Sequence, residues 1–232
     1  MTRRTWIRSC AAAAALPHPI GAQQRPPRSV PEVLGRFGLV PGKFRDYTVI
    51  LRPDRIAPEW WAGAPSVMRD RQGVFWLACR MRTADAPLGL RGYEIRILRS
   101  EDGIRFGKVH SIRREQVPIP GFERPALLLD PKTGRFKLYG CGPWKGGPWS
   151  IIKFEDAEDP EKFQPSSAKP VIQPRAKLGP RDDPPSGYKD PFILWADGAY
   201  HCFLIGTLRT ERVFHFTSPD GENWEPAGGH YE

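Results

Sequence analysis

Two carboxylates, Glu123 and Asp190, stand beside prolines that open closely similar stretches of chain, FERPALLLDPKTGRFKLYGCG from Phe122 and YKDPFILWADGAYHCFLIG from Tyr188. Asp190 directly precedes Pro191, and only Arg124 separates Glu123 from Pro125. Cleaving an acetal needs one carboxylic acid to protonate the departing oxygen and a second carboxylate to activate water or attack the sugar carbon. Either residue alone reads equally well as a turn cap or a strand-end ion pair, so the chemistry depends on the two meeting.

Their meeting depends on repeats. A third stretch, GAPSVMRDRQGVFWLACR from Gly63, has the same order of proline, apolar run, turn and second apolar run, and the prolines Pro65, Pro125 and Pro191 are 60 and 66 residues apart. Asp197-Gly198 is a two-residue hairpin signal, since that dipeptide accepts the positive φ angles such a turn demands. Copies one and three continue through an extended segment into Ser-x-Asp-Gly-x-x-aromatic, placing Ser100, Asp102, Gly103 and Phe106 over Ser218, Asp220, Gly221 and Trp224. Copy two keeps the strand at Ser150 but has EDPEKF in place of that turn. The unit is about four short strands without sustained helical periodicity, which predicts an all-β chain built of propeller blades. Equivalent positions of successive blades converge near one axis, so acids about 60 residues apart become neighbours.

Around the two acids, Arg124 and Lys189 adjoin them in sequence, and Trp60, Trp61, Trp144 and Trp149 lie in loops or at strand starts, where indole faces can stack on sugar rings. Trp76 and Trp195 sit inside strand patterns and read as packing. Arg80 and Arg82 leave the first hairpin on alternate positions, able to reach the axis but read first as paired surface arginines.

The blade sentence resembles the five-bladed propeller glycoside hydrolases, families 43, 32, 68 and 130, over roughly Trp60 to Trp224. The resemblance implies inner strands that aim carboxylates into an axial funnel. Lys189-Asp190-Pro191 is similar to the Arg-Asp-Pro motif of family 32, which implies that Asp190 steadies the transition state through sugar hydroxyls. Glu123-Arg124-Pro125 is similar to motifs of the family 130 group, with Arg124 positioned to hold a hydroxyl or carboxylate of the substrate. One departure matters. Families 43 and 32 have an aspartate at the start of the first inner strand, whereas Gly63-Ala64-Pro65 holds no acid and Glu59 is the nearest candidate. Three blade openings before Glu232 also predict a partial propeller, with open sheet edges and a tendency to self-associate.

Residues 1–24 read as a twin-arginine export leader, with Arg3 and Arg4 ahead of an alanine-rich run and a small residue at Ala22, implying a periplasmic or extracellular protein. That run is too short and proline-broken to span a bilayer. A linker with a short helix near 31–37 occupies 25–45, the propeller begins at 46, and 47–51 is expected to be a strand that closes the last blade. The formal charge of +9 falls to +6 without Arg3, Arg4 and Arg8, and the remainder is scattered, so nucleic acid is not expected as a partner. Cys79, Cys141 and Cys202 read as buried thiols, with one disulfide among them as the alternative. No metal or organic cofactor is expected. Three functions follow: an exported glycosidase (hydrolytic or phosphorolytic), a carbohydrate-binding propeller without catalysis, and a sialidase-like propeller, whose Asp-box has one residue more between Asp and Gly than Ser218-Pro219-Asp220-Gly221 allows.

Overall fold

The computed structural model describes residues 48–174, 185–207 and 210–231. The expected leader, linker and short helix lie outside them. The described chain forms three antiparallel four-stranded sheets, each with its strands in sequence order. Sheet one contains β1 (Trp61–Arg69), β2 (Phe75–Arg82), β3 (Gly92–Ser100) and β4 (Gly107–Arg113). Sheet two contains β5 (Ala126–Leu129), β6 (Phe136–Pro143), β7 (Trp149–Lys153) and β8 (Lys169–Ile172). Sheet three contains β9 (Tyr188–Ala196), β10 (Ala199–Thr207), β11 (Glu211–Ser218) and β12 (Glu225–Tyr231). These are the units expected from the repeats. No helix among the described residues is long and apolar enough to cross a membrane.

The turns form for local chemical reasons. Asp197 and Gly198 have φ of +47° and +83°, as the tight hairpin joining β9 to β10 requires. In the β1–β2 turn, Asp70 accepts the N–H groups of Gln72 and Val74, both at 2.9 Å, and the Trp76 indole N–H at 2.8 Å. The Ser-x-Asp-Gly signature is a structural knot. The Ser100 hydroxyl bonds the Asp102 carboxylate and accepts the Gly103 N–H, while Asp102 accepts the N–H groups of Ile104 and Arg105. Ser218 and Asp220 repeat the arrangement with Gly221, Glu222 and Asn223.

Period-two alternation sends each side of sheet two to a different neighbour. Leu127, Phe136, Leu138 and Ile152 pack with Trp76, Ile95, Ile97 and Ile112 of sheet one. Ala126, Leu128, Tyr139, Cys141 and Ile151 pack with Tyr188, Tyr200, Cys202, Leu204, Phe214 and Phe216 of sheet three. At the axis, β5 lies against both β1 and β9. Ser66 of β1 accepts the Leu127 N–H of β5 at 2.9 Å. On sheet three, Phe192 is 56% exposed and Val213 is also exposed. Over 48–51 no strand forms. Leu51 instead packs on Leu77, Cys79 and Leu98, covering part of sheet one's outer face as a side chain and not as a paired strand.

Between sheets two and three lies a buried ionic network. Lys137 (3% exposed) contacts Asp156 at 2.5 Å and Asp130 at 3.4 Å; Lys153 (0%) contacts Asp156 at 2.5 Å and Glu222 at 3.0 Å. Burial pushes the Asp130 carboxyl up, but the Tyr200 hydroxyl beside it, bonds from the Lys132 N–H and the Thr133 hydroxyl, and the Lys137 charge outweigh this and hold it at about 2. Its folded value lies below the unfolded 3.8, so its stabilising contribution is complete above that value and is lost as pH falls through about 2. Acid titration followed by tryptophan fluorescence should therefore show Asp130→Asn losing less stability than wild type across this window. Equal losses would remove the assignment.

Candidate active site

Both acids reach one end of the sheets, where inner strands begin and second strands finish. Phe122 bridges to Gly92 at the start of β3, its N–H donating to the Gly92 carbonyl at 2.8 Å. A Cβ on Gly92 would overlap the Phe122 carbonyl and crowd Arg80 Cδ, so only glycine lets this segment approach. The next N–H, that of Glu123, donates to the Cys141 carbonyl at 3.0 Å near the end of β6. Thus held, the Glu123 carboxylate forms an ion pair with the Arg80 guanidinium.

Asp190 occupies a bulge in β9, where the register shifts opposite Leu204, and has φ of +54°. This is the left-handed region, which aspartate tolerates better than most residues. The Asp190 N–H donates to Cys141 Sγ at 3.3 Å, and its Oδ1 accepts the Arg124 N–H at 3.3 Å. Cys141 therefore ties both acids to β6, through its carbonyl on one side and its sulfur on the other. Burial pushes its thiol far up, so it stays protonated and acts by position. In the sequence Cys141 reads as a buried thiol, or as one half of a disulfide, and its flanking Gly140 and Gly142 are the signal of close approach.

Arg80 is 7% exposed, which corrects its reading as a surface arginine. Burial lowers its pKa, and attraction to Asp190 opposes that shift. The guanidinium therefore lies within the fields of both acids. It also lies over the Trp61 ring at 4.5 Å, and Arg82 lies over the same ring at 5.2 Å. Beyond them, Glu59 pairs with Arg82 at 3.0 Å and Arg91 at 2.5 Å. Among the described residues, no three His, Cys, Asp or Glu side chains converge as metal ligands. Cys79, Cys141 and Cys202 are all buried and unbridged; burial pushes the Cys79 thiol up to about 11.

The other expected contacts divide. Trp61 and Arg80 join the cluster, and Arg124 joins through its backbone. Lys189 is engaged by Glu211 at 2.5 Å. Trp60 instead rests against Tyr93 in a separate cavity of about 370 Å³ with Asp54, Asp85 and Arg113. Trp144 packs on the core between sheets one and two, with Lys145 over its ring at 6.0 Å. No described contact joins Trp60 or Trp144 to the acids, because their rings fill local packing sites beside β3 and β6.

The first-blade position is now explicit. Ala64 precedes Pro65 with φ of +51° beside a register shift between Gly63 and Ser66, the backbone geometry of Asp190 with a methyl in place of the carboxylate. Glu59 does not replace it, being committed to Arg82 and Arg91.

Gly92→Ala should displace the Phe122–Glu123 segment and lower stability by about 1–3 kcal/mol. Calorimetric unfolding and ligand binding should both be affected. A variant with unchanged melting and binding would show that the close approach is not required.

A cluster of this kind on adjacent four-stranded blades defines a β-propeller site. No family model matches the sequence, and no curated protein is recognisably similar to it. Solved structures do match. An α-L-arabinanase from Penicillium chrysogenum superposes with a TM-score of 0.53 at 17% identity, over 77% of this chain and 52% of its own. The Bombyx mori GH32 β-fructofuranosidase BmSUC1 gives 0.57 at 16%, over 76% and 37%. CoXyl43, a GH43 β-xylosidase/α-arabinofuranosidase from a compost metagenome, gives 0.54 at 12%, over 80% and 62%. The chain spans about half the length of the arabinanase. At these identities the likeness establishes the fold, that of the GH43 and GH32 propellers.

Proposed function

We propose that this chain is an exported, glycosidase-like propeller that acts on a glycosidic bond through Asp190 and Glu123. One observation carries the reading: acids from two repeats meet around Arg80, Cys141 and the Arg124 N–H. Asp190, with no cation in salt-bridge contact among the described residues, is the carboxylate available to ligand hydroxyls. Glu123, ion-paired with the Arg80 guanidinium, suits the ionised carboxylate that activates water, and Asp190 is the acid left to protonate the departing oxygen. Trp61 offers the aromatic surface, and the GH43 and GH32 neighbours support a carbohydrate as its occupant. Export rests on residues 1–24 alone.

A second reading, carbohydrate binding without cleavage, is favoured by Ala64 at the first-blade position and by the pairing of Glu123 with Arg80. A panel of aryl arabinofuranosides, aryl xylosides and sucrose separates the two. Turnover by wild type that falls at least about 100-fold in Glu123→Gln supports catalysis. Absence of turnover, with glycan affinity that falls about tenfold in Trp61→Ala, supports binding. Neither turnover nor glycan binding by the wild type would overturn both.

A further inference from the structure

We infer that the ligand of this cluster is an acidic glycoside, whose carboxylate is held by Arg124. The inference rests on the carbohydrate reading above and adds the chemical class of the sugar. Among the described residues at this end of the sheets, Arg80 is paired with Glu123 and Lys189 with Glu211, while Arg82 and Arg91 share Glu59. Arg124 is exposed, and no described acceptor engages its guanidinium. Its main chain is nevertheless fixed, with its N–H on Asp190 Oδ1 and its carbonyl accepting from Cys141 Sγ at 3.8 Å. The main chain that carries this uncommitted guanidinium is thus fixed beside the Asp190 carboxylate.

A second observation points the same way. Arg80 Nε and Arg82 Nε are buried with no hydrogen-bond partner, so the wall behind Trp61 also has more donors than acceptors. A neutral sugar would leave the exposed Arg124 guanidinium to water. A uronic acid supplies a planar carboxylate that fits the guanidinium fork with two parallel bonds.

The test is calorimetric titration of the full chain with oligogalacturonate and glucuronoxylan oligosaccharides, each compared with the same oligosaccharide after reduction of its carboxyl groups to alcohols. The acidic forms should bind at least about tenfold more tightly at low salt, a margin that narrows as salt screens the pair. Arg124→Gln should bring the ratio close to one, and Arg124→Lys should restore part of it. The side chain is exposed and its anchoring bonds are main-chain bonds, so neither substitution threatens folding. Equal binding of acidic and reduced forms, or a preference that survives Arg124→Gln, would sink the inference and leave the carbohydrate reading standing. No binding of either form would also sink the inference, and the glycoside panel above would then decide the carbohydrate reading by itself.

Discussion

On the glycosidase reading proposed above, Asp190→Asn is expected to reduce turnover by roughly 10² to 10⁴-fold while leaving the melting temperature almost unchanged. The backbone at this position is left-handed, a conformation that asparagine accepts as readily as aspartate. The amide oxygen can still accept the Arg124 N–H, so the bulge and its link to sheet two are retained. What disappears is a negative charge at the mouth of the site and its pull on Arg80. Steady-state kinetics beside calorimetric melting would measure both quantities. Turnover equal to wild type would remove Asp190 from the mechanism, and a large drop in melting temperature would make its role structural.

The second large effect concerns stability. Lys153→Met keeps most of the side-chain length but deletes the ammonium that neutralises Asp156 and Glu222 inside the interface of sheets two and three. Removing one partner from a buried ion pair leaves charge stranded in a poor solvent, with a penalty of about 3–5 kcal/mol. Asp156 retains Lys137, and Glu222 retains Lys169, so the lower end, about 3 kcal/mol, is expected. In a domain of this size that is a fall of about 6–12 °C in melting temperature. The double variant Lys153→Met, Glu222→Gln should recover part of the loss, because it removes one of the stranded charges. A single variant that melts within a degree of wild type would show that water already reaches the network.

Much of the fold was legible because its signals are local. Asp197-Gly198, the Ser-x-Asp-Gly turns and the strand alternation are decided by residues within a few positions of one another, and each formed as read. The convergence of Glu123 and Asp190 was legible only through the repeat, which converts equivalence in sequence into proximity in space. Partnerships that cross between sheets were not legible. Nothing near Arg80 in the chain announces Glu123 as its partner, so a buried charge was taken for a surface one. Trp60 and Trp144 share the sequence context of Trp61, yet of the three only the Trp61 ring lies against a glycine, Gly63, and beneath the arginines. The 47–51 segment alternates like a strand, but over its described part it meets no free edge and contributes only Leu51.

Arg80, Glu123 and Asp190 come from three successive sheets, and this has a kinetic consequence. Each hairpin can form from neighbours in sequence, but the site needs loops of more than 40 residues to close between every pair of contributors, a step whose entropy must be met before the contacts repay it. Ligand affinity should therefore return later in refolding than sheet content, and it reports whether the sheets have docked correctly, a state that spectroscopy of the strands alone cannot distinguish.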